Sequence, residues 1–342
     1  MPIATPEIYK KMLAAAHAGR YAYPAFNIAS IMSINAALRG LEASRSDGIL
    51  QVSTGAGKFA SGGKLQNMSL GAILLAEYIH RVADEYDVYI ALHTDHCPAE
   101  TLPKFVEPLL VETERRRENN QSNLFGSHMF DGAALPIDEN LTIASNLIKR
   151  TQALDIILEV EIGVVGGEED GIVAKKDAKL YTTPEDMLKV AETLGTGEKG
   201  TYMLAASFGN VHGVYKPGAV KLNPSILKAG QALLKERLGT AAKPFYLVFH
   251  GGSGSSEAEI QETLEYGVVK MNIDTDTQYA FTRPIVDQFF THYNKVIHLE
   301  GEMASKKFFD PRGYLRKGED GMLERVKVAC KQLRSAGQTL VR

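Results

Sequence analysis

Short apolar runs alternate with longer amphipathic stretches along most of the chain. Eight runs rich in β-forming residues follow one another from Tyr21: YAYPAFN, GILQVS, VYIALHTD, LFGSHMFD, DIILEVEIG, TYMLAASF, YLVFH and VVKMNID. The stretches between them carry apolar residues at helical spacing, for example over 68–84, 138–153, 184–194 and 223–237. A strand followed by a helix, repeated eight times, predicts a parallel sheet, and closure into a (β/α)8 barrel leaves no exposed sheet edge.

An open, doubly wound sheet is the structural alternative, because periodicity alone does not distinguish it from a closed barrel. Polar motifs follow several different strands, which favours the barrel, since an open sheet would concentrate them at one switch point. Two segments exceed a minimal barrel, 163–183 after the fifth strand and 291–321 after the eighth, and a helix-like segment follows over 322–335. We predict an α/β fold, one TIM-barrel domain over 1–342 with extra loops and a C-terminal helical extension.

Composition narrows the classes of function. The chain has 342 residues, 44% of them hydrophobic and 23% charged, and its formal net charge of −3 provides no positive field for nucleic acid or an anionic membrane. The start, MPIATPEIYKKML, lacks the pattern of a secretory signal, and no apolar stretch reaches the ~18 residues of a membrane helix. Cys97 and Cys330 form no metal-type or disulfide spacing. We therefore expect a soluble, cytoplasmic protein.

Three histidines follow three different predicted strands: His96 in LHTDHC, His212 in FGNVHGVYKPG and His250 in VFHGGSGS. Three neutral imidazoles with one open position are the ligand set of a catalytic zinc site. A single histidine is more often a hydrogen-bonded structural residue, so their shared position at strand ends carries the prediction. We expect His93, in the first of these motifs, to support or pack against the site.

Carboxylates form a second group. Glu159 and Glu161 share one face of the fifth strand by the period-two rule, and a buried ionised carboxylate needs a partner. For Glu159 this partner is either the site or a lysine inside the barrel. The GGEEDG loop offers Glu168 and Glu169 between glycines, and such a flexible segment can bring a base over the site.

Glycine-rich and polar segments after the last two strands, GGSGS (251–255) and NIDTD (272–276), indicate phosphate binding. Free backbone N–H groups at a helix start bind anions, and barrels often use this pair of loops for phosphate. Lys216 and Arg312 are candidate long side-chain donors to phosphate.

Together these motifs resemble the class II fructose-bisphosphate aldolases, in the longer subgroup that carries HTDHC. The likeness runs from PAFN through GILQVSTG, LHTDHCP, SHMFDG, GGEEDG, SFGNVHGVYKPG, VFHGGSGS and YGVVKMNIDTDTQYAF to FDPRGYL. One departure is STGAGKF, where Ala56 replaces the second of two glycines that relatives usually carry. The resemblance implies reversible cleavage of fructose 1,6-bisphosphate to dihydroxyacetone phosphate and glyceraldehyde 3-phosphate through a zinc-stabilised enediolate, in glycolysis and gluconeogenesis.

The resemblance also implies roles for individual residues. It implies zinc on His96, His212 and His250, with Glu161 or Asp131 near alternative positions, including a second divalent ion. Asp95 is similar to the acid that serves the C4 oxygen. Glu169 resembles the mobile base of that family, and Glu168 is the less favoured choice.

Substrate contacts follow from the same likeness. One phosphate site maps to Gly213, Lys216, Gly251, Ser253 and Thr275. The other maps to Ser53 and Arg312, the arginine arriving from a neighbouring subunit of a homodimer or higher homo-oligomer. Asn272 and Asp274 face the sugar-phosphate, and Asn27 anchors the loop carboxylate. The family also implies a monovalent cation, Na⁺ or K⁺, near the carbonyls of Val211, Gly213 and Gly251.

Other functions remain as alternatives at this point. A Schiff-base aldolase would use Lys270 in VVKMN, the only strand lysine well placed to attack a carbonyl, but three converging histidines would then lack a purpose. Tagatose-bisphosphate cleavage differs only in the C4 configuration, and the HTDHC form favours fructose. A noncatalytic sugar-phosphate sensor or an adhesive surface protein needs no acid and base beside a metal.

Overall fold

Eight parallel strands close into a barrel around which the helices pack. The computed structural model describes residues 2–163, 166–169, 172–173, 181–212, 221–297 and 306–341. The strands in this part of the chain are β1 (Tyr23–Asn27), β2 (Gly48–Val52), β3 (Ile90–Thr94), β4 (Ser127–Asp131), β5 (Ile157–Ile162), β6 (Gly166–Glu169), β7 (Ile172–Val173), β8 (Tyr202–Ala206), β9 (Val211–His212), β10 (Tyr246–Phe249) and β11 (Val268–Ile273).

The barrel order is β1-β11-β10-β8-β5-β4-β3-β2, and every pairing within it is parallel. Each of the eight runs predicted from the sequence contains one barrel strand. The closed order confirms the predicted (β/α)8 fold and excludes the open, doubly wound sheet. The three remaining strands form a small separate sheet in the order β7-β6-β9.

The helices in the described residues are α1 (Pro6–Gly19), α2 (Ile31–Ala43), α3 (Thr54–Ala60), α4 (Met68–Val82), α5 (Val106–Glu118), α6 (Ile137–Ala153), α7 (Pro184–Leu194), α8 (Ser225–Leu238), α9 (Glu257–Glu265), α10 (Thr275–Thr291), α11 (Tyr293–Ile297) and α12 (Pro311–Gln332). Short 3-10 turns cover Ala83–Glu85, Ala99–Lys104 and Lys306–Phe308. None of the described helices is both long and apolar enough to span a membrane.

The last helix begins earlier than the sequence predicted. Residues 291–321 were expected to form an insertion before a helix over 322–335, but α12 already starts at Pro311, capped by the Asp310 side chain. Glycine lowers helix propensity, which hid this first part of the helix. The glycines serve packing: a Cβ on Gly318 would lie 2.9 Å from the Phe281 carbonyl oxygen of α10, and one on Gly321 would lie 2.3 Å from that of Ala280.

The interior of the barrel changes from apolar to polar along the strands. Helix α1 packs an apolar cluster, including Tyr9 and Leu13, against residues such as Ile157 and Ala91 inside the barrel. Further along β5, alternate positions on the face of Ile157 are Glu159 and Glu161, both buried. The end of the barrel that α1 covers is therefore apolar and closely packed, and ionisable groups gather at the carboxyl-terminal mouth, where barrels carry their chemistry.

Candidate metal centre at the barrel mouth

Two imidazoles meet across the mouth of the barrel. His96 follows β3 and His250 follows β10, on strands that are not neighbours in the barrel order, yet His96 Nε2 lies 3.1 Å from His250 Nδ1. The opposite ring nitrogens each meet a carboxylate, at 3.1 Å from His96 Nδ1 to Asp131 Oδ2 and at 2.7 Å from His250 Nε2 to Glu159 Oε1. A carboxylate accepts a hydrogen bond, so each ring carries its proton on the far nitrogen.

This arrangement fits a divalent cation. With protons on the far nitrogens, the two near nitrogens present lone pairs to each other, and such a contact is repulsive unless a cation lies between them. Nitrogens bound to one tetrahedral zinc at ~2.0–2.1 Å would stand ~3.3 Å apart, close to the observed separation. Glu161 Oε2 lies 3.6 Å from His96 Nδ1 and 3.9 Å from His250 Nδ1, so a carboxylate is also near.

Two groups of potential ligands therefore overlap at His96 in the described residues. One comprises Asp95, His96 and His250, and the other comprises His96, Asp131 and Glu161. Alternative metal positions would need two such groups, and which atoms bind an ion stays a prediction.

The electrostatics of the site favour the protonation states that a metal needs. Burial lowers the pKa of His250 and outweighs the hydrogen bond to Glu159, which acts in the opposite direction. Burial raises the pKa of Asp131, but its hydrogen bonds to His96 and to the Ala133 amide act in the opposite direction, and that pKa lies below its usual value. A neutral imidazole and an ionised carboxylate are the forms that bind a cation or support its ligands.

His96 also has an unusual backbone. Its φ of +25° lies in a region that residues with a side chain rarely adopt. Such backbone strain persists where the surrounding structure requires it and is concentrated at functional sites. No pattern in the sequence marks this feature.

Asp95 sits beside the histidines and is almost fully buried, with 1% of its surface exposed. Its Oδ2 accepts hydrogen bonds from Asn27 Nδ2 at 2.9 Å and Gln51 Nε2 at 3.0 Å, and its Oδ1 accepts one from Asn272 Nδ2 at 2.9 Å. Three amide donors thus fix the carboxylate. Sequence reasoning missed Gln51, although a glutamine inside the apolar strand GILQV was a signal.

A buried charged network lies behind these residues. Lys270 Nζ is 2.9 Å from Glu159 Oε2, which confirms the interpretation that Glu159 pairs with a lysine inside the barrel. His93 Nε2 is 3.4 Å from the same oxygen, and His93 Nδ1 is 2.7 Å from Ser127 Oγ. Burial would raise the pKa of Glu159, but Lys270 and the histidines hold it well below its usual value. His93 is therefore a supporting residue, as expected.

The predicted phosphate residues of the last two loops lie at helix starts or beside them. Asp274 is the N-cap residue of α10 and Thr275 is its first residue. Ser253 Oγ donates to Asp276 Oδ1 at 2.7 Å, and Gly251 takes a left-handed backbone with φ of +58°. Backbone N–H groups at a helix start can bind an anion.

The other predicted phosphate site comprises Ser53 and Arg312. Ser53 caps α3, where its side chain accepts a hydrogen bond from the Ala56 amide at 3.2 Å. Ser53, Asn27, Ala56 and Asp274 line one cavity of about 420 Å³. The structure thus brings Ser53 and Asp274 to the same cavity as Asn27, which contacts Asp95. Arg312 differs, because its side chain is 84% exposed and pairs with Asp310.

Other predicted residues lie partly or wholly outside the described residues. Gly213 and Lys216 lie wholly outside them. For His212, Glu168 and Glu169 only the backbone is described: β6, which carries both glutamates, pairs with β9 through Gly167 and His212. The Val211 amide donates to the Gly251 carbonyl at 3.3 Å. The acidic loop therefore runs beside the strand of the third predicted histidine.

Comparison with known proteins agrees over nearly the whole chain. A family model described as "Fructose-bisphosphate aldolase class-II" matches residues 7–338. Fructose-bisphosphate aldolases of Corynebacterium glutamicum and Mycobacterium tuberculosis are 54% and 55% identical to this chain, each over 99% of both sequences. The crystal structure of the fructose-bisphosphate aldolase of Campylobacter jejuni superposes with a TM-score of 0.86 at 38% identity, covering 98% of this chain and 97% of that one.

Proposed function

This chain belongs to the class II fructose-bisphosphate aldolase family, and from that premise we propose which residues perform its metal-dependent lyase reaction. In this proposal, His96, His212 and His250 hold one zinc ion, and the enzyme cleaves fructose 1,6-bisphosphate to dihydroxyacetone phosphate and glyceraldehyde 3-phosphate. The observation that carries it is the 3.1 Å approach of His96 Nε2 to His250 Nδ1, with a carboxylate behind each ring.

Zinc in this position would act as a Lewis acid that polarises the ketose oxygens and stabilises the negative charge left when the C3–C4 bond breaks. Asp95 receives the proton of the C4 hydroxyl during cleavage and returns it during condensation. The three amides that contact Asp95 support this role, because they hold the carboxylate oxygens in place. Glu169, or less favourably Glu168, delivers the proton to carbon from its loop.

We propose that the two phosphates of the substrate fix the scissile bond above this centre. One phosphate binds Gly213, Lys216, Gly251, Ser253 and Thr275, and the other binds Ser53 and Arg312. The start of α10 supports the first site, and the cavity shared by Ser53, Asn27 and Asp274 supports the second. Asn272 and Asp274 face the sugar chain between them. Binding energy from both phosphates is then available for orientation.

Two further ions are part of the proposal. Asp131 and Glu161 offer a second divalent position beside His96. A monovalent cation, Na⁺ or K⁺, lies near the carbonyls of Val211, Gly213 and Gly251. The contact between the Val211 amide and the Gly251 carbonyl supports this, because it brings the two segments together.

We also propose a homodimer in which Arg312 serves the partner's site. Its exposed side chain can reach outward, and Tyr279, Phe290 and Tyr293 expose 62%, 76% and 55% of their surface on α10 and α11. A contiguous exposed apolar patch marks an interaction surface, and Tyr279 and Phe290 lie about three turns apart on one face of α10. Mixing Asp95→Ala chains, which lack cleavage, with Arg312→Ala chains, which have a raised KM, tests this at a substrate concentration too low for either variant alone: a shared site regains activity on subunit exchange, and a site built from one chain does not.

One cytoplasmic barrel domain acting in glycolysis and gluconeogenesis is the setting that we propose for this activity. The competing Schiff-base route requires an accessible, neutral Lys270. That lysine has no exposed surface and is ion-paired with Glu159, so its amine is neither free nor reachable by a sugar.

A coupled cleavage assay tests the proposed function. The purified protein should cleave fructose 1,6-bisphosphate, lose activity with a strong chelator and regain it with zinc. Chelator-resistant turnover, together with substrate trapped on Lys270 by borohydride, would instead establish the Schiff-base route. Binding of the substrate without turnover would establish a sensor.

A further inference from the structure

Lys270 and Asn272 occupy alternate positions of β11 and project into the barrel on the same face. Lys270 Nζ donates to Asn272 Oδ1 at 2.5 Å and lies 2.9 Å from Glu159 Oε2. On its other side, Asn272 Nδ2 lies 2.9 Å from Asp95 Oδ1 and 3.3 Å from His250 Nε2. A buried lysine thus reaches Asp95 through a single asparagine amide.

The two charged groups that flank this amide, Lys270 and Asp95, set its orientation, and they outweigh the longer contact of 3.3 Å with His250 Nε2. A lysine ammonium carries donors and no acceptor, and an ionised carboxylate carries acceptors and no donor. Asn272 must therefore turn its oxygen to Lys270 and its NH2 group to Asp95. The flipped amide would set NH2 against the ammonium and oxygen against the carboxylate, which breaks both hydrogen bonds and adds two repulsive contacts.

The same lysine also acts on the metal side of the site. Glu159 Oε2 pairs with Lys270, while Glu159 Oε1 accepts from His250 Nε2 at 2.7 Å. Lys270 therefore contacts both Glu159, which accepts from His250, and Asn272, which donates to Asp95.

We propose that Lys270 is a positioning residue for the aldolase reaction, which orients Asn272 and through it the carboxylate of Asp95. The proposal rests on the proposed function, in which Asp95 accepts the C4 proton. In this proposal Lys270 orients other side chains, whereas the Schiff-base alternative would use the same lysine as a nucleophile.

The experiment must separate positioning from folding. Lys270→Met alone leaves the buried Glu159 carboxylate without its partner, which is strongly destabilising. The double variant Lys270→Met/Glu159→Gln is neutral at both positions, and the amide oxygen introduced at position 159 can still accept from His250 Nε2. Glu159→Gln alone is the matched control, because it keeps the lysine and its hydrogen bond to Asn272. It leaves the buried ammonium without its carboxylate, so urea unfolding first establishes that both variants are folded before their rates are compared.

Relative to Glu159→Gln, we expect the double variant to retain zinc and its KM for fructose 1,6-bisphosphate but to lose about 10- to 100-fold in kcat, as expected when a proton-transfer group is displaced. The same two proteins are then compared with Asn272→Ala added to each. If Lys270 acts through Asn272, their kcat values should now differ by less than about threefold, because the loss from removing Lys270 and the loss from removing Asn272 are not additive. A second readout is the ¹⁵N-labelled Asn272 side-chain amide in the metal-free protein: its NH2 protons should exchange slowly in Glu159→Gln and rapidly in the double variant.

Two results would overturn the proposal. One is an equal loss of kcat on removing Lys270 with and without Asn272, which means that the lysine acts independently of the amide. The other is a double variant with unchanged kcat and an unchanged Asn272 amide. Activity that survives in Asp95→Ala would refute the proposed function itself, and that outcome is read without any Lys270 variant.

Discussion

Replacing Asp95 by asparagine removes the proposed proton acceptor and almost nothing else. The side chain keeps its shape, but one carboxylate oxygen becomes an NH2 group that faces amide donors. Asn27 and Gln51 donate to one oxygen and Asn272 donates to the other, so at least one of these contacts is lost. Losing a hydrogen bond to a buried charged acceptor lowers the free energy of unfolding by about 1–3 kcal/mol.

The effect on catalysis should be larger than the effect on stability. A positioned acid or base contributes ~10²–10⁴ in rate, so the loss in kcat corresponds to about 3–5 kcal/mol of transition-state stabilisation. The assay couples cleavage of fructose 1,6-bisphosphate to NADH oxidation, with zinc content measured on the same sample and stability measured by urea unfolding. Gln51→Ala is the control, because it removes one donor to Asp95 and keeps the carboxylate.

We expect Asp95→Asn to retain zinc, to remain folded and to lose nearly all cleavage, while Gln51→Ala loses much less. A kcat within about tenfold of the unchanged protein would refute the role of Asp95 in proton transfer. Loss of zinc from Asp95→Asn would instead make Asp95 a metal ligand, since its Oδ1 lies 3.9 Å from His96 Nε2.

Three other variants test separate parts of the account. His212→Ala should lose zinc along with activity, measured as metal content after gel filtration, and a fully loaded variant would remove His212 from the ligand set. Arg312→Ala should raise KM for fructose 1,6-bisphosphate, and an unchanged KM argues against a phosphate role. Its free energy of unfolding should change by less than about 0.5 kcal/mol, because the Arg312 side chain is 84% exposed. Burial lowers the pKa of His128 from 6.5 to about 3, so between these values the folded state binds fewer protons than the unfolded state and stability falls as the pH drops. Urea unfolding should show that His128 lowers the free energy of unfolding by about 2 kcal/mol between about pH 7 and pH 5, and that His128→Gln lacks this loss. An equal pH dependence of the two proteins would contradict the prediction.

The fold was predictable because β-rich composition and a period of two both indicate the strands in the sequence. Each barrel strand lies in a β-rich run, and along β5 the period of two already placed Glu159 and Glu161 on one face. Helix α12 was only half predicted, since Gly318 and Gly321 weaken the helical signal and serve contacts with α10 that no local pattern contains.

The site was predictable as a set of residue types and less so as a geometry. His96 and His250 stand at strand ends in the sequence, but their approach depends on closure of the barrel between strands that are not neighbours. The carboxylates behind them and the contacts of Gln51 and Lys270 depend on side-chain directions inside the closed barrel. Motif spacing indicated a metal, and only the folded chain shows which ring nitrogens face each other.

The most direct test of the account is a crystal structure of the zinc-loaded protein with anomalous scattering measured at the zinc edge. We predict an anomalous peak at ~2.0–2.1 Å from both His96 Nε2 and His250 Nδ1, with Asp131 and Glu159 still bonded to the opposite ring nitrogens. An ion that does not contact both histidines, or that contacts His250 through Nε2, would contradict it.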